Sequence, residues 1–521
     1  MNSQNLFQRL FLSERAARVA VLFEHAEITY QELRDRTVHV AESLQASGIG
    51  AGERVAILLN DSPEFIASFV ATISLGAIAV PINLALRRED QLFILKDCGA
   101  CAAIVEAKTT ESLFQSSDDQ TQVKNLFVVN RDQGSNPAVS AGLSVQDFAR
   151  AKRRPLGDEF PVCADVDAFI LYTSGSTGEP KGAVHRQSDI FYTNETFCRE
   201  VLALREGDRL FSSSRLPFAY GLGNSFTFPL LNGLTTILCR EKPAPDVVNR
   251  IFKEHRPTIF FGVPVVYSML LDHHRRPGHA LDTSSLRLCV SAGEALPAQL
   301  GEDWQKTFGV EILDGIGSTE MLHMFISNHG GEVRYGSSGK LFRGYETRLV
   351  DHEGEPVPAG EAGNLWIRGD SAATRYWQRP ETTAETFVDG WVRTGDLYRA
   401  DADSFWWHMG RSDDCFKPKG QWVSPIEVEN VLLRHEGVRA AAVVEGPDEH
   451  GLSSVCAFVV GTDASEISEE SLRALCEGAL PRFKQPRRYL FVSELPYTAT
   501  GKVQRFKLRE QLREPAKRVK Y

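Results

Sequence analysis

No run of apolar residues in this sequence is long enough to cross a bilayer without interruption. A spanning helix needs about 20 consecutive apolar residues. The most apolar stretch, residues 65–86, is broken by Ser68, Thr72, Ser74, Gly76, Pro81 and Asn83. That pattern predicts a buried helix, a break at Gly76 and a strand through Val80, with no membrane partner. The opening Met1-Asn-Ser-Gln-Asn5 has neither a basic segment nor an apolar one behind it, so no signal peptide is expected.

An excess of positive charge is also missing. With 58 lysines and arginines against 68 acidic residues the formal net charge is −10, which argues against nucleic acid as a partner. Local basic patches would still suffice to grip an anionic small molecule. The nine cysteines form no framework. Cys98-Gly-Ala-Cys101 stands alone, without a second pair at zinc spacing, and reduced thiols in a cytoplasmic protein are expected. The adjacent His273 and His274 do not read as a metal pair either. Neighbouring residues on a helix point in different directions, so a solvated helix end is expected there. There is no internal repeat and no low-complexity tract.

What remains is an ordinary soluble composition, 42% hydrophobic and 24% charged. The length of 521 residues suits more than one domain. Arg54–Leu59, Ala102–Val105 and Asn125–Val129 read as strands, and Thr29 caps a helix opening at Ile28–Leu33. Strands alternating with helical patterns predict βαβ units and mainly parallel sheets, an α/β fold. Arg348–Asp351 and Gly363–Arg368, around a turn at 352–358, predict a small β-rich subdomain. Strands at 440–444 and 455–460 with a helix at 469–479 predict a small α+β C-terminal module.

The chain is organised around Leu171-Tyr-Thr-Ser-Gly-Ser-Thr-Gly-Glu-Pro-Lys-Gly182. Ala168–Tyr172 reads as a buried strand and Ser188–Glu200 as a helix, with a loop of hydroxyl residues and glycines between them. Such a loop brings backbone N–H groups, hydroxyls and a lysine to an anion. It is not a Walker P-loop. Counting from Gly175, the required Gly-Lys falls on Pro180 and Lys181, and Gly182 replaces the metal-binding hydroxyl residue. Leu286–Val290 and Val310–Leu313 also read as strands ending in small residues. Ligands in open parallel sheets bind beyond the carboxyl ends of the strands, so the loops after Tyr172, Val290 and Leu313 are expected to converge on one crevice.

Thr173–Gly182 resembles the phosphate-binding signature of the adenylate-forming enzymes: acyl-CoA synthetases, adenylation domains and luciferases. Three more signatures of that family follow in order. The resemblance implies that Thr173, Ser174, Gly175, Ser176, Thr177 and Lys181 bind the phosphates of ATP. Gly293, Glu294 and Ala295, with Asp314, Gly315 and Ile316, would form the adenine slot. Relatives commonly stack a tyrosine on the base where Ile316 stands, although benzoate-type members share the aliphatic form. Ser318-Thr-Glu320 resembles the metal and phosphate element, with Thr319 toward the α-phosphate and Glu320 toward Mg²⁺. Magnesium takes hard oxygen ligands, commonly one carboxylate plus substrate phosphates.

Asp396 resembles the aspartate that accepts both ribose hydroxyls, a task suited to two acceptor oxygens. Gly410-Arg-Ser-Asp-Asp414 resembles the family hinge, with Arg411 on the nucleotide and Asp413 as the pivot. That sets an N-terminal domain at 1–412 and a mobile C-terminal domain at 413–521. Lys417, Lys419 and Gly420 would lie on the CoA path, though Pro418 and Lys419 depart from the less basic, proline-free segment of benzoate-type relatives. Leu495–Arg505 resembles the terminal lysine loop, which makes Lys502 the mobile catalytic lysine. Arg482, Lys484, Arg487 and Arg488 read either as a solvated surface or as a contact for CoA phosphates.

In Pro217–Ser225 aromatic and small residues alternate, and no carboxylate is present to hold an α-ammonium group. Phe-Ala-Tyr-Gly-Leu-Gly223 resembles benzoate-CoA ligases. Ala219, Tyr220 and Gly221, with Ser291, Gly317 and His323, are therefore expected to line the acyl slot, His323 facing a polar ring substituent. The resemblance implies an ATP-dependent, cytoplasmic aryl-CoA ligase using ATP, Mg²⁺ and CoA. Benzoate, anthranilate or a hydroxybenzoate would pass through an acyl-AMP, and a homodimer is compatible with this reading. A stand-alone adenylating enzyme loading a phosphopantetheinyl carrier protein, or a non-catalytic sensor, remains an open alternative.

Overall fold

The computed structural model describes residues 5–114, 121–129, 143–149, 160, 164–174, 179–412, 414–416, 418, 421, 423–448, 452–462, 467–497 and 503–513. The most apolar stretch folds inward as the helix Pro63–Ser74. Ser62 caps it by accepting the Phe65 N–H, and Pro63 occupies its first position, where no N–H is needed. Every residue of the helix but Glu64 is buried. Its polar members stay satisfied because Ser68, Thr72 and Ser74 donate to carbonyls four residues back. Gly76 turns the chain at φ +74, and the strand Ile78–Pro81 follows. Phe65, Phe69 and Val70 share one core with Val21 and Phe23 of one sheet and Ile57, Ala79 and Phe169 of another. Burying each such side chain contributes about 1.5–3 kcal/mol. Among the described residues no helix is long and apolar enough to cross a membrane.

Two large sheets flank this core. In the eight-stranded one, Asp167–Ser174, Ile78–Pro81, Arg54–Leu58, Ala102–Glu106, Asn125–Val129 and Ser144–Asp147 are parallel neighbours. In the nine-stranded one the parallel order is Ile312–Gly317, Leu288–Ser291, Ile259–Gly262, Arg209–Ser212, Thr235–Leu238 and Val19–Phe23. Antiparallel strands close the edges. A five-stranded antiparallel sheet forms the predicted β-rich region. At the C-terminal end, Val438–Pro447, Ser453–Gly461 and Arg488–Phe491 make a three-stranded sheet with the helices Pro425–Leu432, Glu469–Ala479 and Arg505–Arg513. The mixed α/β architecture is the one expected.

Three local expectations need correction. The hydroxyl-rich loop does not run straight into a helix. Its strand returns as Pro180–Arg186 in an antiparallel hairpin that sets Thr173 opposite Lys181, and the expected helix then begins at Gln187–Thr193 and continues as a π-helix over Asn194–Leu202. Pro180 and Gly182 made this strand look like loop; pairing on both sides overrides that signal. Asp314–Gly317 is likewise strand rather than loop, because Met324–Ser327 pairs back against it. Finally, His273 and His274 diverge as expected and the helix end is exposed from Arg275 onward, but His273 itself turns inward. His273 is buried, whereas His274 accepts the Leu281 N–H.

Within the C-terminal basic cluster, Lys484 pairs with Glu427 at 2.5 Å and Arg488 donates to the Pro447 carbonyl. Both serve the module's own packing.

Candidate active site

The carboxyl ends of two adjacent parallel strands bring Ser291 and Asp314 into register. After Ser291 the chain turns sharply at Gly293, whose φ of +95 suits glycine, and presents Glu294. Asp314 is 2% exposed and accepts the Leu296 N–H. Burial raises its carboxyl to about 8, against the partial pull of the Leu296 and Gly315 amides and the Ser291 hydroxyl.

The unfolded chain titrates this group near a pKa of about 3.9, so the folded state keeps a proton that the unfolded state releases. The stability contributed by the neutral acid is complete below that lower value and is lost as pH rises through the higher one. Asp314→Asn, which cannot ionise, is expected to flatten the fall in Tm between about pH 5 and pH 8.5 relative to wild type. Thermal unfolding of both proteins across that range checks it; parallel curves would refute it.

The short helix Ala219–Leu222 carries the residues expected to line the acyl slot. The Tyr220 hydroxyl donates to the Val290 carbonyl at 3.1 Å and so fixes the helix to the strand end. Its ring stacks on His323, with centroids 5.6 Å apart, and Phe197 and Phe228 approach the same imidazole at 4.7 and 4.6 Å. Ala219 is buried beside Tyr220. Gly317 has no room for a side chain, since a Cβ there would lie 2.5 Å from the His323 carbonyl oxygen. His323 is 3% exposed, and neither ring nitrogen has a partner of hydrogen-bond geometry. Burial holds its pKa at about 3. The neutral ring therefore offers one donor and one acceptor. Asn224, in the turn that follows, is fully buried and its amide is equally unpartnered.

Thr319 and Glu320 follow Gly317 after Ser318. His185, on the strand returning from the hydroxyl-rich loop, contacts the Thr319 carbonyl through Nε2 at 2.8 Å and Asp189 through Nδ1 at 3.0 Å. Tyr376 donates its hydroxyl to Glu320 Oε1 at 2.6 Å. Lys181 Nζ sits 4.6 Å from the centre of the Tyr376 ring. Lys181, Tyr376 and Glu320 thus form a continuous chain from the hairpin after the hydroxyl-rich loop to the segment expected to hold a metal. Glu320 is half-buried, and its held carboxylate is the hard oxygen donor that Mg²⁺ requires.

Burial and the Glu320 charge push the Tyr376 phenol well up, with Arg411 offsetting a part, so the hydroxyl stays a donor. Tyr376 and His185 escaped the sequence reading. Tyr376 lies in Ala-Thr-Arg-Tyr-Trp377, which carries no motif, and His185 lies in a strand read as loop.

Asp396 stands in the strand Trp391–Ala400 opposite Arg411, whose Nη1 is 3.6 Å from its Oδ1. His408 Nε2 lies 3.4 Å from the same oxygen. Glu294 accepts the Val503 N–H at 2.7 Å, so the C-terminal segment that carries Lys502 meets the turn after Ser291. Ala295, Gly315 and Ile316 lie in these same turns and strands, and Gly221 in the helix Ala219–Leu222. Gly175, Ser176, Thr177, Asp413, Lys417, Lys419, Gly420, Lys502 and the Ser174 side chain lie outside the described residues.

Residues 11–377 match the AMP-binding enzyme family, and residues 427–502 match the AMP-binding enzyme C-terminal domain. A benzoate–CoA ligase of Thauera aromatica is 40% identical over 97% of this chain and 95% of its own. The crystal structure of an anthranilate CoA ligase in complex with anthranoyl-AMP superposes with a TM-score of 0.90 at 37% identity, covering 98% of this chain and 97% of that one. A benzoate CoA ligase from Burkholderia xenovorans LB400 gives 0.87 at 38% identity, covering 97% of this chain and 100% of its own. On the residues of its site and the extent of these matches, the chain belongs to the AMP-binding enzyme family.

Proposed function

We propose that the protein is an ATP-dependent aryl-CoA ligase that acts on benzoate or a benzoate bearing a small hydroxyl or amino group. A carboxylate oxygen of the acid attacks the α-phosphorus of ATP, and the bond to pyrophosphate breaks. The thiol sulfur of CoA then attacks the acyl carbon, AMP leaves, and the thiol proton passes to solvent. Two anions must meet in the first step, so catalysis rests on positioning and on electrostatic stabilisation. Lys181, Thr319 and the hydroxyl-rich loop would hold the phosphates, Asp396 the ribose, and Glu320 the metal. Magnesium at Glu320 would supply neutralisation of the phosphate charge.

The observation that carries the aromatic assignment is the box of Tyr220, Phe197 and Phe228 around a neutral His323 with two unpartnered nitrogens. Unpartnered buried polar atoms cost about 1–3 kcal/mol, which a hydroxyl or amino substituent would relieve. The thioester half would follow rotation of the C-terminal domain about Asp413, removing Lys502 and bringing Gly420 toward the site.

Incubation with ATP, Mg²⁺ and CoA and a panel of benzoate, 2-aminobenzoate and the hydroxybenzoates should yield thioester from at least one acid. No product from any of them with folded enzyme would refute the proposal, and acylation of a phosphopantetheinylated carrier in preference to CoA would redirect it. His323→Phe keeps the aromatic box but deletes the donor and acceptor. It is expected to lower kcat/KM for a polar-ring acid by about tenfold to a hundredfold relative to benzoate. An unchanged ratio would show that His323 does not read the substituent.

A further inference from the structure

We propose that Asp246, His273 and His279 bind one zinc ion at a site distinct from the nucleotide residues. The three ligand atoms lie within 4.8 Å of one another, and no other three His, Cys, Asp or Glu side chains among the described residues do so. His273 Nε2 is 3.5 Å from Asp246 Oδ1. A tetrahedral zinc with bonds of about 2.0–2.1 Å separates its ligands by roughly 3.4 Å, so this pair already stands at ligand spacing.

The backbone holding these groups is fixed. Asp246 lies in the first turn of the helix Pro245–His255 and His273 in the last turn of Pro264–Arg275. The loop carrying His279 is tied to the first helix, where Asn249 bonds Ala280 and Asp282, and to the second, where His274 accepts the Leu281 N–H. A further bond, from the His279 N–H to the Arg276 carbonyl, shapes the loop. Arg275 is drawn off by Asp303 at 2.8 Å. Two imidazole nitrogens and a carboxylate oxygen suit zinc and leave a fourth position for water. Asp246 is 85% exposed, which gives the ion a way in and lets that carboxylate close on it.

The test is calorimetric titration of the chelator-stripped full chain, without nucleotide, using zinc chloride. One saturable equivalent is expected in wild type, weakened about tenfold or more in both His279→Ala and Asp246→Asn. Both substitutions fall on exposed side chains, so the fold is preserved. Absence of a saturable equivalent, or equal affinity in wild type and both variants, would overturn the assignment.

Discussion

Lys502→Ala is expected to slow acyl-adenylate formation by about two to three orders of magnitude while leaving thioester formation from supplied acyl-adenylate within a few-fold of wild type. A lysine ammonium is a compact point charge on a flexible stem. Placed beside the oxygens that gain charge at the α-phosphorus, as proposed, it would stabilise the transition state of the first half-reaction. The Val503 N–H bonded to Glu294 brings its segment to the nucleotide residues. In the proposed second half-reaction the lysine has swung away, and its loss there should matter little. Pyrophosphate release and single-turnover thioester formation measure the two halves separately. Equal losses in both would mean that Lys502 supports the fold rather than the chemistry.

The second large effect is expected at Glu320. Glu320→Gln should reduce adenylation by about a hundredfold to a thousandfold, because a neutral amide is a poor partner for a hard divalent cation. Tyr376→Phe separates ligation from orientation. It keeps the ring beside Lys181 and removes only the hydroxyl that holds Glu320 Oε1. Groups that orient a metal ligand typically contribute about tenfold to a hundredfold in metal affinity or activity. Tyr376→Phe should therefore need more Mg²⁺ for half-maximal rate and recover much of the wild-type rate at saturation. A deficit of the same size at every Mg²⁺ concentration would sink the orienting role.

The parts of the molecule legible in the sequence were those in which local chemistry and tertiary packing agree. Thr29 marks a helix start that the fold uses, and Asn125–Val129 and Glu469–Ala479 occupy the predicted residues. Glycine-rich segments misled because Gly315, Gly317 and Gly182 weaken any strand signal while the strands themselves are held by long-range partners. The same reason hid Tyr376. Its short strand Arg375–Tyr376 exists only because Pro180–Arg186 offers an edge, and nothing near it in sequence announces a partner for Glu320.

His273 shows the converse. A correct rule about adjacent helix positions separated it from His274, yet its neighbours come from residues 246 and 279, which no helical spacing could reveal.

The bond from Val503 to Glu294 is made by the main chain, not by a side chain. Any residue except proline can provide that donor. The latch between the two parts of the enzyme therefore places almost no demand on the identity of position 503. Exchanging the terminal module for one from a distant cousin should preserve the closed pose as long as Glu294 stays, which makes this joint a natural seam for building hybrid enzymes.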